Sequence, residues 1–261
     1  MATPLTAAKF LAALKAEGIA VVEHDGWRTH TRTAKSRPWG PVHGVMLHHT
    51  GPGTEKGLID LCRRGRADLP GPLVPGVITK SGTVHLVGYG RCNHAGSGDD
   101  DVLRAVIAES ALPRPNEQTT DGNARFYGFE AINKGDGKDP WPDAQRDAMV
   151  RVSAALLRAH AWGGDGKTSV IAHKEWTNQK PDPRTSPGGA DVSMAAIRAL
   201  VAERLTHPAA WSPGGATHTV VPGETLSSIA RDHGTAWLKL AQLNGLKTPY
   251  RIYPGNTIKL K

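Results

Sequence analysis

The chain has 261 residues, of which 39% are hydrophobic and 21% charged. This is the composition of a soluble globular protein, with length for one sizeable core plus a small module. No apolar run approaches the ~20 residues needed to span a bilayer, which argues against membrane insertion. The net charge of +8 and pI near 9.6 favour a polyanionic partner, but no nucleic-acid motif accompanies them, so attraction to an anionic surface is the expectation.

Residues 6–17 pattern as an amphipathic helix, with Thr6 to cap it, Phe10, Leu11 and Leu14 at helical spacing, and Gly18 to end it. Lys9 and Lys15 fall inside that pattern, so it does not read as a secretory signal, and synthesis in the cytoplasm is expected. Residues 19–22 follow as a short strand, and 26–41 as a Pro- and Gly-broken loop. Val45, Met46 and Leu47 form a buried strand that ends in His48 and His49. Successive strand residues face opposite ways, so only one of these histidines can readily serve a given site.

Residues 54–64 read as a helix, and 73–79 and 83–87 as a hairpin around Ser81-Gly82. His94 lies in a Gly-rich loop that could line a cleft. Residues 99–112 suit a helix with an acidic first turn. In the strand 126–133, Glu130 is the one ionisable group in an apolar run, a costly placement unless the carboxylate is paired or used. A long amphipathic helix covers 142–161.

Ser169-Val170-Ile171 is a buried strand leading to His173. Nine residues later Asp182 stands between Pro181 and Pro183, which stiffen the loop that aims it, and Lys180 lies two residues before it. Asp191 is placed to cap a last helix containing Met194, Ile197, Leu200, Val201 and Leu205. Glu175 reads as exposed, and the tryptophans as packing or loop anchors. Cys62 and Cys92 are too few for a disulfide framework and read as free thiols.

Residues 207–216 have the composition of a linker. Beyond it, residues 217–261 run strand, helix, helix, strand and carry +4 of the net charge. The expected organisation is therefore a domain over 1–206 with its core at about 25–205, a linker, and a small βααβ unit. Alternating strands and helices in the first part predict an α/β fold with a mixed central sheet flanked by helices. Ligands collect at the carboxyl ends of such strands, where both His48 and His173 sit.

Two imidazoles and one carboxylate suit an open tetrahedral zinc site, whose fourth position is left to water. Zinc lowers the pKa of that water to about 7 and polarises a carbonyl. Glu130 is the natural proton acceptor and Lys180 a cation for the developing oxyanion.

The segments Leu47-His-His-Thr50, Tyr127-Gly-Phe-Glu-Ala131 and Ala172-His-Lys-Glu-Trp176 with Lys180-Pro-Asp-Pro183 resemble the zinc amidases of the peptidoglycan-recognition-protein superfamily. The likeness is nearest to phage endolysins of the N-acetylmuramoyl-L-alanine amidase type. Residues 217–261, with Val221-Pro-Gly-Glu-Thr-Leu226 and Ile252-Tyr-Pro-Gly-Asn256, resemble a LysM module.

The first resemblance implies Zn2+ held by His48, His173 and Asp182, with Glu130 as acid/base and Lys180 as electrostatic helper. It also implies cleavage of the amide between N-acetylmuramic acid and L-alanine in bacterial peptidoglycan. Val74 stands where some members have an active-site tyrosine. The second resemblance implies binding of N-acetylglucosamine-containing glycan by Gly223, Glu224, Thr225 and Leu226 and by residues 246–252. A monomer that acts at the wall after release from a host cytoplasm is the accompanying expectation. A non-catalytic peptidoglycan-recognition protein and a zinc peptidase cutting within the stem peptide are the competing functions.

Overall fold

The computed structural model describes residues 1–163, 169–185, 192–209, 211 and 217–260, which fall into two compact units, Met1–Ala209 and Ala210–Lys261. In chain order the first unit contains α1 (Ala7–Ala16), β1 (Val21–Glu23), β2 (Val45–His49), α2 (Glu55–Arg64), β3 (Gly65–Arg66), β4 (Leu69–Pro70), β5 (Gly76–Ile78), β6 (Val84–Leu86) and β7 (Ser97–Gly98). It continues with α3 (Asp100–Ile107), β8 (Thr120–Asp121), β9 (Tyr127–Ala131), α4 (Asp143–His160), β10 (Val170–Ala172), α5 (His173–Trp176) and α6 (Met194–Leu205).

Six strands make one mixed sheet in the order β1-β6-β5-β9-β2-β10, with only β5 and β6 antiparallel. One face carries Val45, Leu47, Tyr127, Phe129 and Leu86 into the main core, which also takes apolar side chains of α1, α4 and α6. The other face carries Met46 and Ile171 into a second cluster with Val102, Val106, Phe126 and Trp176. His48 and Glu130 are paired in the register of β2 and β9 and so share this second face. Among the described residues no helix is long and apolar enough to cross a membrane.

Local chemistry explains most boundaries. The Thr6 hydroxyl accepts the Lys9 amide at the start of α1, and Gly18 ends the helix at φ 74°. The α3 helix stops at Ile107, short of the Leu112 that its pattern suggests. Glu109 turns into the left-handed region at φ 51°, and its carboxylate is held by the Gly163 amide and faces His43. His173 opens α5 rather than closing the strand before it. Asp191 lies outside the described residues, and α6 is capped by the Ser193 hydroxyl on the Ala196 amide. The linker expected over 207–216 falls largely outside them as well, at Ala210 and 212–216. Cys62 and Cys92 are both buried free thiols.

A buried ion cluster fastens α1 to the two long helices. Glu17 is 1% exposed and accepts Arg158 Nε and Arg204 Nε at 2.6 Å each, while its carbonyl accepts Arg151 Nη1 at 2.9 Å. Arg204 is itself 1% exposed. Replacing Glu17 by alanine strands a buried guanidinium, and urea unfolding of E17A is expected to show a loss of about 3–5 kcal/mol. A loss below about 1 kcal/mol would show that water reaches Arg204.

The second unit holds β11 (Thr217–Thr219), α7 (Leu226–Asp232), α8 (Trp237–Leu243) and β12 (Thr257–Lys259), with β11 and β12 antiparallel. Its core is Val220, Leu226, Ile229, Leu240, Ile258 and Leu260 with two alanines.

Candidate metal centre and cleft

Three parallel strands deliver the site. His48 is the fourth residue of β2, Glu130 the fourth of β9, and His173 the first residue after β10. Asp182 returns to the same place because its carbonyl accepts the Lys174 amide at 2.9 Å. His48 Nδ1, His173 Nδ1 and Asp182 Oδ2 form a triangle with every side 3.1 Å. All three residues are buried, at 1%, 6% and 9% exposure.

The outer nitrogens decide what those inner atoms are. His173 Nε2 lies 3.2 Å from the Ala95 carbonyl. His94 Nε2 lies 3.3 Å from the Phe126 carbonyl. A carbonyl only accepts, so both Nε2 atoms carry the proton and, in neutral rings, both Nδ1 atoms are bare. His94 Nδ1 can then only accept, 3.0 Å from His48 Nε2, which places the His48 proton on Nε2 as well. Burial pushes the His48 imidazole down to about 4 against the pull of Asp182, so the ring is neutral at neutral pH.

With both rings neutral, the triangle is three acceptors with no proton among them. Such a set suits a cation. Ligand bonds of about 2.0–2.1 Å in a tetrahedral array put donor atoms about 3.3 Å apart, close to the spacing seen, and two imidazoles with one carboxylate suit zinc. A second acidic group, Asp99, Asp100 and Glu117, also lies close together. There the Asp99 oxygens are already taken by the amides of Asp101, Val102 and Asn116.

Glu130 is half-buried as a residue, but its Oε2 is shut off from solvent with no hydrogen-bond partner. Burial first, then the charge of Asp182, raises its carboxyl to about 8, against the opposing pull of Lys180. Lys180 is exposed and lines a cleft of about 370 Å³ together with His94, His173, Gln118, Thr177 and Gln179. His94 thus borders the cleft and also orients His48. His49 faces away: it packs on Gly135, and its Nδ1 accepts the Arg184 amide at 3.1 Å. Val74 is fully buried among Leu58, Ile59, Cys62 and Val77.

Several supports carry no signal in the sequence pattern. Gly128 leaves the seat for His94, since a Cβ there would come within 2.6 Å of His94 Nδ1. Glu175 is not the exposed residue its sequence context suggests. It accepts the Ala172 amide at 2.9 Å and pairs with both terminal nitrogens of Arg198, which braces α5 against α6. Trp176 is wedged onto Gly98 and Gly122.

Residues 38–185 match the family model described as N-acetylmuramoyl-L-alanine amidase, and residues 218–261 match that of the LysM domain. The chain belongs to the N-acetylmuramoyl-L-alanine amidase family. This amidase-family chain is 32% identical over 170 residues to the N-acetylmuramoyl-L-alanine amidase XlyB of Bacillus subtilis, a match covering 64% of this chain and 52% of XlyB. It is 39% identical over 69 residues to the N-acetylmuramoyl-L-alanine amidase sle1 of Staphylococcus aureus, covering 26% and 20%. The chain thus spans about half of the first relative and a fifth of the second. Among solved structures it is similar to the Staphylococcus aureus hydrolase AmiA in complex with its ligand, with a TM-score of 0.44, 14% identity, and coverage of 78% of this chain and 93% of that one.

In the LysM unit the four expected sugar contacts are unequal. Leu226 is 6% exposed and belongs to the unit's own core, so only its backbone can meet a ligand. The Thr225 hydroxyl is used to cap α7 through the Ser228 amide. Glu224 accepts the Val221 amide and His218 Nε2, at 2.8 and 2.7 Å. At Gly223, φ is 90° and nothing lies within 4 Å of where a Cβ would be.

Proposed function

We propose that the chain is a zinc-dependent endolysin that hydrolyses the amide between N-acetylmuramic acid and L-alanine in peptidoglycan, with its LysM unit holding wall glycan. The observation that carries this reading is the triangle of three bare acceptors beside the buried, unpartnered Oε2 of Glu130. His48, His173 and Asp182 would hold the ion. When bound, zinc would lower the pKa of a water to about 7 and polarise the scissile carbonyl.

The rest is the work of the chain's own groups. Glu130 Oε2, free of competing hydrogen bonds, takes the attacking water's proton and returns it to the departing L-alanine nitrogen. Lys180, at the cleft wall, offers positive charge to the oxygen that gains negative charge. The amides of Gln118 and Gln179 and the hydroxyl of Thr177 give the wall donors and acceptors that suit a peptide or a sugar. In this reading the protein is made in a host cytoplasm, acts as a monomer, and meets the wall after release.

Mass spectrometry of fragments from purified peptidoglycan tests the assignment. Free L-alanine amino termini and intact muramic acid are expected, with release lost under chelator and regained with zinc. Cuts inside the stem peptide would instead make the protein a peptidase. Binding without release in the zinc-loaded protein would make it a recognition protein.

Removing residues 217–261 is expected to lower activity on whole walls about 10- to 100-fold, because the tethered module raises the local concentration of enzyme. A small soluble muropeptide should be cut at nearly the original rate. Equal losses on the two substrates would refute the targeting role.

A further inference from the structure

The loop from His94 to Gly96 touches both imidazoles of the centre, and one side chain holds that loop. Asn123 Oδ1 accepts the amides of His94, Ala95 and Gly96 at 2.9, 2.8 and 3.2 Å. Three donors around one atom identify that atom as the carboxamide oxygen. Asn123 is itself fixed. It lies in the 3-10 turn Gly122–Ala124, its amide is accepted by Asp121 Oδ1 at 3.1 Å, and the Gly122 amide reaches the Gly96 carbonyl at 2.8 Å. The loop it gathers has two outputs: His94 Nδ1, which receives the proton of His48 Nε2, and the Ala95 carbonyl, which receives that of His173 Nε2.

We propose that Asn123 is a positioning residue whose carboxamide oxygen, by fixing the His94–Gly96 loop, sets the proton on the outer nitrogen of both His48 and His173. A rigid loop keeps both Nδ1 lone pairs turned toward Asp182. A loose loop lets either ring flip or exchange tautomers, and each such state removes a donor from the triangle. Outer-shell partners of this kind change metal affinity by about 10- to 100-fold. The affinity consequence rests on the metal-centre reading above, whereas the tautomers belong to the metal-free chain. Asn123 also borders the cleft, so direct contact with substrate is the competing role. Substrate contact alone would alter neither ring protonation nor zinc affinity when no substrate is present.

The test uses the full chain, labelled with 15N at histidine and stripped of metal, in wild-type, Asn123→Leu and Asn123→Asp forms. Leucine keeps the volume and loses the acceptor; aspartate keeps an oxygen that can take all three amides. Ring 15N shifts are expected to show His48 and His173 in the Nε2–H form in the wild type and in N123D, and mixed tautomers in N123L. Zinc binding, measured by competition with a chromophoric chelator, is expected to weaken about 10- to 100-fold in N123L and less than about 3-fold in N123D. If N123L does not fold, Asn123→Ser, whose hydroxyl is too short to gather three amides, replaces it. Wild-type tautomers and wild-type zinc affinity in the acceptor-deficient variant would overturn the proposal. A wild type with the stated tautomers but no zinc affinity would overturn the metal reading, while the ring shifts would still decide the role of Asn123.

Discussion

Exchanging Glu130 for glutamine is expected to cut turnover by about 10²- to 10⁴-fold with zinc still bound at full stoichiometry. The substitution keeps the size of the side chain and removes only its capacity to accept and return a proton. Oε2 has no hydrogen-bond partner to lose, so the fold should tolerate the change. It should gain slightly, because a carboxyl that burial raises to about 8 is replaced by a group that never ionises. The sign of the pH effect follows. A base must be deprotonated, so the rate of the native enzyme rises with pH through the Glu130 pKa, and a cation in the centre moves that limb below 8. The glutamine variant should lose this limb. Steady-state rates on a muropeptide, with zinc counted by atomic absorption, check both statements; near-native turnover in E130Q would remove Glu130 from the chemistry.

Asp182→Ala should have the opposite signature: loss of zinc together with loss of activity. The carboxylate is the only formal negative charge in the triangle, and without it two neutral imidazoles remain. The difference appears on adding zinc. At a hundredfold excess over Kd, the native protein gains about 2.7 kcal/mol, or a rise in Tm of about 5–10 °C for a domain of this size. The variant should gain nothing measurable. A zinc-dependent rise of equal size in both would mean that the ion binds elsewhere.

Much of the scaffold was legible because its signals are local. Strand runs ending in His48 and preceding His173 are visible as β-branched or apolar stretches, and Glu130 stands out as the single charge inside one. What escaped reading depends on contacts across long stretches of chain. Glu17 looked like an ordinary helix end, yet it is the buried partner of Arg158 and Arg204, 141 and 187 residues away. Glu175 looked solvated for the same reason. The partners that fix the histidine rings were hidden most thoroughly, since every residue has a carbonyl and nothing in the letters Ala95 or Phe126 distinguishes theirs.

That anonymity has an evolutionary side. For His173 and His94 the groups that dictate where the ring carries its hydrogen are main-chain carbonyls, and no codon change can delete them. Drift can reach the arrangement only by displacing the segments that present those atoms. The price of this insulation is a narrow choice at the few places where displacement would begin, above all at Gly128, where any added carbon evicts a neighbouring ring.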